Sequence, residues 1–207
     1  MAFARRNGAE DSSTRTALID AAEQLMVEEG YAAVSSRRVA GRAGMNAALV
    51  YYYFGTMDDL FLAVFSRRAE RNLEAQAEAL ASDQPLWALW DVTRDQTNTA
   101  LNFEFLALGK HRKVVGAAIT ESCFNFRRVQ LDAMPGILKR YGVDADAWAP
   151  AVVLLLMDGM SRFLMMEEAF GLDIGHTEMI ALIEGQIRAL EGEPRSRKPR
   201  PRAKKRA

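Results

Sequence analysis

Residues 35–60, SSRRVAGRAGMNAALVYYYFGTMDDL, constrain this chain more than any other stretch. They read as two short helices joined by a tight turn. Ser35 or Ser36 is placed to cap the first helix, and Val39, Ala40 and Ala43 give it an apolar edge. Gly44 offers a backbone that can take positive φ, as a sharp turn between helices needs. Asn46 is a good cap for the second helix. That helix, Ala47 to Tyr53, has about two turns, a length that can lie across a DNA major groove. Val50 and Phe54, four apart, anchor its inner side. From Tyr31 to Thr56 the chain carries Arg37, Arg38 and Arg42 and no acid. The segment therefore predicts a helix-turn-helix with a basic, hydroxyl-bearing outer surface, and double-stranded DNA as its partner.

Within it, Val39, Val50 and Phe54 read as packing residues. The candidates for touching DNA are Ser36, Arg37, Arg38, Asn46, Ala47, Ala48, Tyr51, Tyr52 and Thr56. Arginine, tyrosine and hydroxyl groups can reach phosphates. Small residues let a helix approach base edges and thymine methyls.

The same stretch resembles the N-terminal signature of the TetR family of bacterial transcriptional regulators. The matching positions are Gly30-Tyr31, Ser35, Val39-Ala40, Ala43-Gly44-Met45-Asn46, Val50-Tyr51, Tyr53-Phe54, Asp58 and Leu60, within residues 14–65. Beyond residue 65 the likeness is only one of length and helical layout. The family usually has Lys two residues after the position of Gly55, touching DNA phosphate. Here Met57 stands there, and the loss of that contact is expected.

The rest of the chain reads as helical. Leu18, Ala21, Ala22, Leu25 and Met26 form one stripe of a helix over 14–29, which Gly30 ends. Thr56 caps a longer helix to about Leu80, with Asp58 and Asp59 in its positive first turn. Helical patterns follow over 85–111, with a break near 97–99, and over 113–141, where Pro135 allows a long helix or a kinked pair. Residues 147–170 are apolar almost all round, and 177–190 are amphipathic. There is no strand signal. The expected fold is all-α: an N-terminal three-helix helix-turn-helix domain plus a C-terminal helical domain for ligand binding and dimerisation. The expected division is a disordered arm at 1–12, a DNA-binding domain at 13–56, an effector-binding and dimerisation domain at 57–192 and a disordered basic tail at 193–207.

The resemblance implies a sequence-specific DNA-binding regulator that works as a homodimer on a near-palindromic operator. It further implies a repressor released by a small apolar effector. An effector pocket within the C-terminal helices would draw on Trp87, Trp90, Phe103, Phe105, Phe124, Met157, Met160 and Phe163. For any one of these, plain core is the bland alternative. The family's interface between two copies, formed by two helices near the C-terminus, would draw on Val153, Leu156, Met160, Ile180, Ile183 and Ile187.

Charge and composition narrow the alternatives. Residues 194–207 hold eight of the 27 Lys and Arg and no acid, which leaves 19 basic against 27 acidic residues elsewhere. The body is acidic, so a nucleic-acid face has to be local. A single cysteine, Cys123, excludes an intrachain disulfide and reads as a small buried hydrophobe. The longest apolar run, 149–157, is too short to span a bilayer, and the N-terminus lacks an apolar leader, so a cytoplasmic protein without a membrane partner is expected. His111 and His176 stand far apart without metal-ligand spacing, and no G-x-S-x-G, HExxH or glycine-rich phosphate loop is present. No metal, no cofactor and no enzymatic activity are expected. The alternative reading is a helical ligand-binding or interaction protein that does not bind DNA specifically, which Met57 and the acidic body would favour.

Overall fold

A computed structural model of the chain describes residues 2–144 and 146–195. Among these residues there are nine α-helices, one 3-10 turn and no strand, in agreement with the all-α expectation. In chain order they are α1 (Ala2–Glu29), the turn Tyr31–Ala33, α2 (Ser36–Arg42), α3 (Ala48–Phe54), α4 (Met57–Ala81), α5 (Pro85–Thr93), α6 (Gln96–His111), α7 (Lys113–Arg140), α8 (Pro150–Ala169) and α9 (His176–Glu191). Among the described residues no single helix is long and apolar enough to cross a membrane.

One element differs from the sequence reading, and another takes one of its two alternatives. The first helix starts at Ala2, twelve residues before Thr14, so residues 2–12 are not the disordered arm expected of them. That stretch has no proline, and extending a helix already nucleated by the 14–29 stripe is far easier than starting one. α7 runs unbroken through Pro135. Pro135 and Gly136 lie on its exposed side, where water can take the carbonyl that the proline leaves without its intrahelical donor.

The chain divides into two units. The first comprises the residues up to Ala77 together with Arg94–Asp132. The second comprises Glu78–Thr93 and the chain from Ala133 onward. The division thus falls elsewhere than at the expected residue 56, because α6 joins the N-terminal helices. Leu101, Phe105 and Leu108 of α6 and Val115 of α7 share one buried cluster with Leu18, Leu25, Val39, Val50, Phe54, Leu60 and Val64. The hairpin of α6 and α7 is closed by glycine. A Cβ on Gly116 would lie 2.7 Å from the carbonyl oxygen of Gly109, so the two backbones touch where no side chain fits.

In the second unit, Trp87 and Trp90 of α5 pack with Met134, Leu138, Leu154, Met157 and Ile187. The Glu191 carboxylate accepts from the backbone N–H groups of Leu86 and Trp87 at 2.9 and 3.0 Å, and so caps the start of α5. The Tyr141 hydroxyl donates to the same carboxylate at 2.8 Å. The Gln84 amide donates to the backbone oxygens of Glu191 and Glu193 and accepts from Arg195 N–H. The first residues of the expected disordered tail are thereby tied down, while 196–207 lie outside the described residues.

Candidate nucleic-acid interface

The helix-turn-helix is built by short-range hydrogen bonds. Ser35 caps α2, its Oγ accepting from Arg38 N–H at 3.4 Å. Gly44 adopts φ +68°, and Met45 N–H donates to the Ala40 carbonyl at 2.8 Å, which closes the turn. Asn46 Oδ1 accepts from Ala48 N–H at 2.8 Å, so Asn46 satisfies a donor at the start of α3 as expected of it. Val50 and Phe54 are buried. Leu49 and Tyr53 are partly buried against the same core. The opposite side of α3 presents Ala48, Tyr51 and Tyr52 at spacings of three and four residues, all exposed. Tyr52 is 73% exposed, and its ring meets that of Tyr53 edge-on at 5.0 Å.

The arginines separate into two kinds. Arg37 is exposed and, among the described residues, has no ion-pair partner. Arg38 pairs with Glu29 and Arg42 with Glu28, at 2.6 Å for the latter. No acid lies between 31 and 56, so both carboxylates come from the last turn of α1. Hydrogen bonding to Arg42 holds the Glu28 carboxyl below its ordinary value, and Arg38 does the same to Glu29. Arg38 must exchange a carboxylate to meet a phosphate, whereas Arg37 need not.

Of its two expected roles, Thr56 fills that of cap to α4. Its hydroxyl donates to Asp59 Oδ2 at 2.6 Å and accepts from Asp59 N–H at 3.1 Å, while its own N–H donates to that carboxylate at 3.1 Å. This closed capping box uses the single hydroxyl proton, which a phosphate contact would need. Among the other candidates, Asn46 is exposed and Ser36 half-buried. Ala47 is half-buried, packed against the core. Met57 is likewise half-buried against that core, so the methionine fills space as well as replacing a cation.

The expected effector residues are not brought together. Trp87, Trp90 and Met157 belong to the core of the second unit, and Phe105 to the core of the first. Phe103 and Met160 are half-buried. Phe163 is exposed, and Phe124 is 73% exposed on α7. Cys123 beside it is exposed too, contrary to the buried position expected of it. A cavity of about 430 Å³ lies instead within the first unit, between α4 and α7. Phe65, Ser66, Ala69, Glu70 and Leu73 line one wall. Ala118, Glu121, Ser122, Asn125 and Phe126 line the other. None of the expected pocket residues is among them. Periodicity marked the large apolar residues, and most of these went to core or open surface.

The expected dimer stripe is out of phase. Ile187 is buried in its own unit, and Val153 and Ile183 pack against that core. Met160 and Ile180 are half-buried, and only Leu156 is exposed. The large exposed residues of α8 are Val152, Leu155, Leu156, Phe163 and Met166, joined by Leu182 on α9. The buried side of α8 includes Asp158 and Ser161, the latter donating to the Thr93 carbonyl at 2.7 Å. His176, read from sequence as lacking metal-ligand spacing, is buried with its Nε2 2.8 Å from Glu167. Among the described residues no group of three His, Cys, Asp or Glu side chains could hold a metal ion.

Residues 18–64 match the sequence profile of the family described as bacterial regulatory proteins, tetR family. The chain is 26% identical to the HTH-type transcriptional repressor BepR of Brucella suis biovar 1 (strain 1330), over 89% of this chain and 97% of that protein. It is 30% identical, over 144 residues, to an uncharacterized HTH-type transcriptional regulator in the dhlA 5' region of Xanthobacter autotrophicus, covering 67% of this chain and 65% of that one. Among solved structures, Salmonella enterica GusR aligns with a TM-score of 0.63 at 20% identity, over 86% of this chain and 96% of that one. A TetR transcription regulator from Haloarcula marismortui aligns with a TM-score of 0.64 at 21% identity, over 85% and 95%. These two likenesses bear on fold alone.

Proposed function

The chain belongs to the TetR family of bacterial transcriptional regulators, DNA-binding proteins rather than enzymes, and from that premise we propose that it is a homodimeric repressor released by a small molecule. The observation that carries the DNA-reading half is the outer side of α3. Ala48, Tyr51 and Tyr52 are exposed there, backed by buried Val50 and Phe54 and flanked by Arg37, which is ion-paired to none of the described residues. Two such helices related by a two-fold axis read a near-palindromic site. The relative named as a repressor supports the direction of control.

Dimerisation through α8 and α9 is supported by the second apolar side of α8. It buries Leu154, Met157 and Leu164 together with Asp158 and Ser161, and still turns Val152, Leu155, Leu156, Phe163 and Met166 outward. Such a helix is stable once a second copy covers its outer side.

Release is supported by the place of the α4–α7 cavity. α4 buries Leu60, Phe61 and Val64 in the core shared with the helix-turn-helix and turns Phe65 and Leu73 to the cavity. The Phe65 ring meets Phe105 of α6 at 5.2 Å. Glu104 of α6 accepts from Tyr31 N–H at 2.7 Å, and Arg112 pairs with Asp58 in the first turn of α4 at 2.6 Å. A molecule that spreads α4 from α7 therefore strains contacts that hold α1 to α3. Moving a population from 99:1 bound to 1:99 requires a preference of about 5.5 kcal/mol for the released shape.

The test is selection of fragments from a random duplex pool by the full-length protein, followed by gel shift over a salt series. A near-palindromic consensus with a linear fall of log affinity against log salt is the expected result. Failure to retard any selected fragment at low salt would favour the ligand-binding reading without DNA.

A further inference from the structure

We infer that the cavity between α4 and α7 takes an organic cation with an apolar body, an ammonium carried on an aryl or alkyl group, with Glu70 and Glu121 as its charge partners. The inference rests on reading this cavity as the effector site, and departs from the apolar effector that the sequence implies.

Three observations carry it. The first is the charge of the lining. Glu70 stands on one wall and Glu121 on the other, no Lys or Arg lines the cavity, and among the described residues neither carboxylate is ion-paired. Several other carboxylates are matched by arginine. Arg67 takes Asp20 and Glu23, Arg112 takes Asp58, and Arg38 takes Glu29. Two carboxylates facing one cavity repel each other, and a bound cation removes that repulsion.

The second is the aromatic content. Phe65 and Phe126, on opposite walls with Leu73, give an apolar body a place to pack, and their ring faces attract positive charge. The third is a pair of unsatisfied acceptors one turn beyond the lining residues, behind the cavity wall. Gln76 lies three residues beyond Leu73 on α4 and is 0% exposed. Its Nε2 donates to the carbonyl of Phe126, a residue that lines the cavity, at 3.4 Å. That bond fixes the orientation of the amide, and it is the oxygen, Oε1, that has no partner. Gln130, four residues beyond Phe126 and 1% exposed, also leaves Oε1 without a partner. The lining carboxylates only accept, so the group that suits them brings donors. An ammonium brings three together with the positive charge, whereas a carboxylate ligand brings neither.

A matched fluorescent series tests this on the full-length protein: monodansylcadaverine with a free ammonium, its neutral N-acetyl derivative, and the dansyl amide of 6-aminohexanoic acid with a carboxylate. The expected order of affinity is ammonium, then neutral, then carboxylate. Glu70→Gln and Glu121→Gln, both at exposed positions, should each weaken the ammonium probe about tenfold and leave the neutral one within twofold. Glu121→Lys should invert the order in favour of the carboxylate probe. Equal affinity across the series, absence of ammonium binding, or unchanged ammonium affinity in both Gln variants overturns the inference. A gel shift of the selected operator separates the two readings. Acid-dependent binding of the ammonium probe without DNA release upholds the cation site and overturns release from this cavity. Release by the neutral or carboxylate probe alone upholds release and overturns the cation site.

Discussion

The α2–α3 segment and the α8–α9 pair each bury one side and leave the other open, yet the open sides differ in kind. On α3 the exposed residues are Ala48, Tyr51 and Tyr52, with Arg37 nearby on α2. On α8 they are Val152, Leu155, Leu156, Phe163 and Met166. The first surface has hydroxyls and a cation that is ion-paired to none of the described residues, on a small apolar base, which suits a phosphate backbone. The second is made mostly of large apolar side chains, with Arg162 beside Phe163, which suits another apolar surface. On the proposed reading, the first side meets a partner that comes and goes, whereas the second meets a constant one.

The largest effect should come from charging the second surface. Leu155 is 58% exposed in the single chain, so Leu155→Asp leaves the protomer's own core intact. In a dimer the same aspartate would be buried without a partner, a cost of several kcal/mol, on the order of what breaking a buried ion pair costs. Sedimentation should show a monomer with an unchanged helical circular dichroism spectrum, and operator affinity should fall at least about a hundredfold. Ile187→Asp provides the contrast, because Ile187 lies in the core, and it should unfold the second unit. A Leu155→Asp protein that still sediments as a dimer would place the constant partner elsewhere.

On the first surface, Tyr52→Ala should weaken operator binding by about 10- to 100-fold, the worth of a hydrogen bond to a charged group at roughly 1.5–3 kcal/mol. Thermal stability should scarcely change, since the ring is mostly in solvent. Unaltered affinity at every salt concentration would remove Tyr52 from the interface.

The two regions were unequally legible in the sequence. The helix-turn-helix is specified by neighbours. Ser35, Gly44 and Asn46 each act within five residues, and the Val50–Phe54 spacing fixes which side turns in. On α8 the sequence shows apolar residues almost all round and so cannot tell core side from outer side. Packing against α5 decides it, and brings Asp158 and Ser161 inward where hydropathy would have put them out. The cavity escaped for a related reason. Its walls, α4 and α7, are some fifty residues apart, and its defining residues are two glutamates and two phenylalanines unremarkable in either helix alone. The salt bridges of Arg38 and Arg42 escaped because their acids sit in a different helix.

Those pairs allow a finer division of the reading surface. Arg37→Ala should reduce the slope of log affinity against log salt by about 0.9, the worth of one phosphate contact. Arg38→Ala should reduce it less, because Arg38 exchanges Glu29 for any phosphate it meets. Glu29→Gln should tighten operator binding several-fold by freeing Arg38. The sign with pH agrees. Glu29 has its carboxyl held below the ordinary value of 4.5, so the pair is complete above that value and is lost as pH falls through the lowered one. The competition with phosphate should thus be constant across neutral pH. A gel-shift series at pH 6 to 8 in which only the wild type, and not Glu29→Gln, varied would contradict this division.

The smallest effect belongs to Met57, where the two kinds of surface meet in one side chain. It is half-buried against the core that carries the helix-turn-helix, at the first position of α4. A lysine there can lay its stem over the same apolar atoms and lift its ammonium into solvent, so the fold should lose little. Asp58 is taken by Arg112 and Asp59 by the Thr56 cap, which leaves the new cation without a close competitor in that turn. Met57→Lys should therefore gain one phosphate contact. Operator affinity should rise less than about tenfold, and the salt slope should steepen by about 0.9. A steeper slope with unchanged melting temperature would mean that the methionine covers a phosphate-facing position. An unchanged slope would mean that residue 57 belongs wholly to the core, and that α4 starts too far from the DNA for its first residue to reach it.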